Sequence, residues 1–192
     1  MTGRVFAVTV FAFMLAAGAG AAVTTSLTAN YADQGWRSNG TSNWVGGTTE
    51  RIGSHTTGVH SGLVIPFWIP NLNGSQVTGA ELSLTIATNT GLTYATGAAN
   101  ADVYAVRSAT SSNTVVSDYS SGTLVVDNWF NIRSNLTLGV KTTTSAALAG
   151  WIDGQVGTNG GKFVFITLRP DAVDSTYLYA TVNTATSAAG QP

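Results

Sequence analysis

Apolar and polar positions separate most sharply between Ser61 and Ile86. Leu63 to Ile69 (Leu-Val-Ile-Pro-Phe-Trp-Ile) is apolar throughout, which predicts a strand buried on both faces. After a Pro70 to Gly79 connection, Ala80, Leu82, Leu84 and Ile86 alternate with Glu81, Ser83 and Thr85, the period of a half-buried strand. This pair is expected to hold the core of a β-sandwich. Proline cannot donate to a ladder, so Pro66 predicts that the first strand runs along a sheet edge or carries a bulge.

The same reading extends along the chain. Ala22 to Ala29 is expected to form a first strand, whereas Asn30 to Gly47 has no sustained period and reads as a long ordered loop with one short strand near Trp44 and Val45. Ala101 to Arg107 places Asp102 and Tyr104 on one face and Val103 and Ala105 on the other. Leu124 to Phe130, Leu136 to Val140, Lys162 to Leu168 and Tyr177 to Asn183 are further strand candidates, and Ser108 to Ser121 is a polar connection. One helix stands out. Thr144 or Ser145 can cap it, Leu148, Trp151, Ile152 and Val156 form one apolar stripe, and Gly157, Gly160 and Gly161 end it. The fold class expected is all-β, an antiparallel, jelly-roll-like β-sandwich with one short helix near residues 145–156.

Composition narrows the function. A chain of 192 residues suits one domain that buries roughly 70% of its unfolded surface. Only 9% of the residues are charged, so hydroxyls and amides must coat the surface, which fits an extracellular β-protein. A formal net charge of −1 lacks the basic footprint that nucleic acid requires. The absence of cysteine excludes disulfides and thiolate chemistry. Arg4, the apolar run Val5 to Ala17 and the small residues Ala19-Gly20-Ala21-Ala22 read as a secretory signal peptide over residues 1–22, cleaved near Ala21 or Ala22. That run is short for the ~20 residues of a spanning helix, so no membrane span is expected after cleavage. The remainder, 23–192, is expected to be one sandwich domain, secreted or at the cell surface, lacking its last strand after Pro192.

Candidate chemistry is sparse. Tyr31, Trp36, Asn39, Asn43 and Trp44 bring aromatic faces and amides into one segment, the combination that recognises sugar rings; equally, Trp36 and Trp44 can plug one end of the sandwich. Asp171 and Asp174 can hold calcium with loop carbonyls or simply form a turn. His55 and His60 lie in a Gly/Ser/Thr-rich connection with no acidic residue at a ligand spacing. A glycoside hydrolase would need two carboxylates, to be drawn from Glu50 and Glu81, the only glutamates, and from Asp33, Asp102, Asp118 and Asp127. A third class is a structural or adhesive protein that self-associates or assembles with exopolymer.

Several of these segments resemble one family. Asn30-Tyr31-Ala32-Asp33, Trp44-Val45-Gly46-Gly47, Arg51 ahead of Leu63 to Leu72, Val77 to Leu82, Ala101 to Tyr104, Leu148 to Ile152 and Gly161 to Asp171 together resemble the DNRLRE-type and disaggregatase-related β-sandwich modules, and more closely their relatives in secreted bacterial proteins with PEP-CTERM-type sorting signals. The family's name-giving charged motif and its sorting tail are not visible. The resemblance implies a non-catalytic extracellular module that binds polysaccharide or exopolymer, or a matrix component. It also implies a closing strand that begins at a proline.

Overall fold

The computed structural model describes residues 11–16, 23–27, 34–38, 42–45, 49–56, 59–91, 99–132, 136–157, 159–171 and 178–183. Two strands dominate: β6 (Val59–Ile69) and β7 (Gln76–Gly91) follow one another as the alternation predicts. Before them come β1 (Phe11–Ala16), β2 (Val23–Leu27), β3 (Gln34–Arg37), β4 (Ser42–Val45) and β5 (Thr49–Thr56). After them come β8 (Asn100–Ala109), α1 (Val116–Ser120), β9 (Thr123–Asn131), β10 (Gly139–Thr144), α2 (Ala146–Val156), β11 (Lys162–Pro170) and β12 (Leu178–Asn183).

All pairings are antiparallel, along the path β2-β1-β7-β12-β5-β6-β11-β8-β9, with β10 on β7 and the β3–β4 hairpin on β6. The path curls into a nearly closed sandwich. Leu82, Leu84 and Ile86 of β7, Ala180 and Val182 of β12 and Ile52 of β5 share one core with Leu63, Ile65, Phe67 and Ile69 of β6 and with Val164, Ile166 and Leu168 of β11. Alternate residues of β6 therefore face inward.

The other face of β6 is covered too, which accounts for the unbroken apolar run. Val64, Phe163 and Phe165 form a second cluster with Tyr119, delivered by α1 lying on the outer face. The sequence reading missed this five-residue helix inside the polar connection. Pro66 also finds its explanation: β5 reaches only Ser61 and β3 only Val64, so from Ile65 onward β11 is the sole strand paired with β6 among the described residues.

Helix α2 closes the sandwich. Leu148, Ala149, Ile152 and Val156 are buried in the main core, and Trp151 packs against it half-buried. The Ser145 Oγ accepts from the Leu148 N–H at 3.1 Å and donates to the Val125 carbonyl at 2.6 Å, so one hydroxyl both caps the helix and ties it to β9. Ser145→Ala should lower stability by about 1–2 kcal/mol, read as a shift of the urea midpoint.

Two sequence expectations change. The segment 30–47 is not simply a loop, because β3 and β4 pair within it. The strand expected at Leu136 to Val140 begins only at Gly139 and runs through the threonines to Thr144. Within the segment read as a leader, Phe11–Ala16 forms β1 against β2 and the Gln76–Leu82 portion of β7. Residues after Asn183, Pro192 among them, lie outside the described ones.

Candidate functional site

Of the five candidate sugar-binding residues, three are brought onto one hairpin. Trp36 lies in β3, opposite Ser42 of β4 and Gly62 of β6, while Asn43 and Trp44 lie in β4. Tyr31 and Asn39 fall outside the described residues. The hairpin is fastened to the sheet beyond its ladder: the Ser38 N–H donates to the His60 carbonyl at 2.9 Å, and the His60 N–H donates to the Ser38 Oγ at 3.2 Å.

His60 is thus a strand residue rather than a loop one, and so by backbone is His55 in β5. The Nδ1 of His60 shares a hydrogen bond with the Tyr119 hydroxyl of α1, and Arg169 of β11 lies close enough to act on both. The Arg169 guanidinium stacks 3.6 Å over the Tyr104 ring and donates to the Tyr119 carbonyl at 2.6 Å. Beside it, Arg107 grips the buried Asp118 carboxylate through two bonds of 2.6 and 2.9 Å, donates to the Asn113 carbonyl and stacks 3.8 Å over Phe165. The same carboxylate accepts the Val115 N–H at the start of α1. Hairpin, α1 and the outer face of β6, β11 and β8 thereby form one connected polar layer.

Burial, and then Arg169, hold the His60 pKa below its ordinary 6.5; burial pushes the Tyr119 hydroxyl up against the opposing pull of Arg169. A histidine with a lowered folded pKa prefers to be neutral in the fold, so its contribution is complete above the unfolded value and is lost as the pH falls through it. Stability should therefore fall between about pH 7.5 and pH 5.5, and His60→Gln should flatten that slope in urea titrations. Asp102 acts at lower pH with the opposite sign. Burial raises it above 3.8, against a hydrogen bond from the Asn128 N–H and aided by Asp171 and Asp127.

Asp171 serves the turn. Its Oδ1 accepts the Asn100 N–H at 2.8 Å, its Oδ2 accepts the Asn100 side-chain amide at 3.1 Å, and its own N–H donates to the Asn100 carbonyl at 3.0 Å. Asp174 lies outside the described residues, among which no group of three His, Asp or Glu side chains could hold a metal ion.

The glutamates do not form a pair. Glu50 is buried in β5 opposite Val182 of β12, which in turn lies opposite Ile86 of β7, five residues from Glu81. Two strand spacings and five residues of rise put their backbones roughly 19 Å apart. Paired glycosidase carboxyls lie about 5–9.5 Å apart. Glu81 instead borders a cavity of about 300 Å³ with Thr78 to Ala80 and Thr144 to Ala146, at the start of α2.

Sequence reasoning missed the company His60 keeps, since Tyr119 is 59 positions away and Arg169 lies on another strand. A pairing forecast for β6 and β11 was the signal that could have found it. Comparison with family models, curated proteins and solved structures finds no match to this chain.

Proposed function

We propose that this chain is a secreted, non-catalytic module that binds polysaccharide or exopolymer at the cell surface, through the β3–β4 hairpin. The observation that carries this reading is the convergence of Trp36, Asn43 and Trp44 on two short paired strands anchored to β6. Aromatic and amide groups on a fixed strand pair can meet sugar rings with little ordering cost. The low charge, the leader-like start and the resemblance to secreted sandwich modules point the same way. In native affinity gels the intact chain should be retarded by at least one polysaccharide. Trp36→Ala should weaken that retention about tenfold; undiminished retention would remove the hairpin from the account.

Self-association is a second reading, favoured by one observation. β10 pairs only with β7 among the described residues and carries Val140 57% exposed, next to Leu138 at 59%. An edge with exposed apolar residues invites a second strand. Size-exclusion chromatography across protein concentration, with Val140→Lys as the variant, separates the two readings.

A further inference from the structure

Among the aromatic side chains whose burial is described, Trp68 alone is exposed, at 38%. It projects from the outer face of β6, at the end of the strand away from Gly62. Its neighbours Phe67 and Ile69 are fully buried in the main core, and Phe163 of β11, directly opposite in the ladder, meets its ring edge to face, 4.9 Å between centroids and at 61°. The indole is therefore held in place before any ligand arrives. Polar groups gather at this end of the sheet: β6 leaves at Pro70 beside the entry to β11, where the Gly161 N–H donates to the Ile69 carbonyl at 2.8 Å. Asn71 and Asn159 are exposed there and Lys162 partly so.

We propose that the Trp68–Phe163 shelf is a second binding site, distinct from the β3–β4 hairpin, for a pyranose ring of a polysaccharide. A fixed aromatic face suits the apolar side of a sugar ring, and the Asn159 amide and the Asn71 Nδ2, whose own Oδ1 already accepts the Asn73 N–H at 2.9 Å, supply polar partners for its hydroxyls. A protein partner fits less well. A stable protein interface needs about 800 Å² from each side, and a tryptophan contributes at most roughly 150–250 Å². The other exposed apolar side chains, Val115 and Val116, Leu124, and Leu138 and Val140, lie on α1, on β9 and at β10. Trp36 sits opposite Gly62 in the ladder, six residues of β6 from Trp68, so the two positions are roughly 20 Å apart along one strand.

The inference rests on the polysaccharide-binding reading, and its test separates the two. The intact chain, Trp68→Ala, Trp68→Phe and Trp36→Ala are run in native gels containing hydroxyethylcellulose, xylan, mannan or alginate. Trp68→Ala should bind roughly tenfold more weakly, and Trp68→Phe should keep most of the retention. The melting temperature of Trp68→Ala should stay within about 4 °C of the parent, because the removed surface is partly solvated. Loss in Trp68→Ala alone supports the shelf and discards the hairpin; loss in both supports the shelf and the hairpin as two sites. Loss in Trp36→Ala alone overturns the shelf while leaving the proposed function standing. Unchanged retention in both variants, or no retention of the parent by any polymer, overturns both.

Discussion

Arg107→Ala should lower the stability of the fold by roughly 3 kcal/mol, more than any other single surface-facing substitution considered. The Asp118 side chain is 1% exposed, and its carboxylate depends on two guanidinium bonds; Arg107 itself is one-third exposed. Removing the arginine leaves a buried anion supported only by the Val115 N–H, and a carboxylate in that position is strongly disfavoured. The variant also loses the stacking on Phe165 and the bond to the Asn113 carbonyl. Urea unfolding should show a lower midpoint at pH 7, with the slope of the transition unchanged. A cost under about 0.5 kcal/mol would mean that the pair behaves as an ordinary surface salt bridge.

The second large effect is expected at Gly62. A Cβ built there would stand 2.2 Å from the Leu168 carbonyl oxygen and 2.6 Å from Cε2 of Tyr119. The first neighbour is ladder backbone and cannot swing away. Gly62→Val should cost about 3 kcal/mol or more, through strain in the β6–β11 ladder and displacement of α1. Because Tyr119 contacts His60, the variant should also lose the pH slope assigned to that histidine, so the urea titration reads both effects. Stability near that of the parent would show that α1 is not seated on Gly62.

These two sites show where the sequence was legible and where it was not. The continuous apolar run of β6 and the alternation of β7 exposed the core directly, because every side chain in them obeys the burial of its face. Helix α2 was equally plain, since Leu148, Ile152 and Val156 repeat at the helical period and Ser145 stands at the cap. Helix α1 has five residues, too few for a period, and exists because Asp118 caps it and Tyr119 finds the space above Gly62. The β3–β4 hairpin hides for a related reason: Gly, Ser and Asn interrupt its alternation, and its order comes from pairing with β6. Exposure of Trp68 could not be read from an unbroken apolar run, which carries no sign of which outer-face residues stay uncovered. The candidate site was half legible. Its residue types were visible in Trp36, Asn43 and Trp44, while its anchoring through Ser38, His60 and Tyr119 depends on contacts far apart in sequence.

The central claim is that this sandwich binds a polysaccharide without cleaving it. The most direct measurement applies the intact chain to an array of polysaccharides and then assays the bound polymers for newly released reducing ends. The account predicts saturable binding to at least one polymer with no release of reducing ends. Absence of binding across the array, or release of reducing ends by the purified chain, would contradict it.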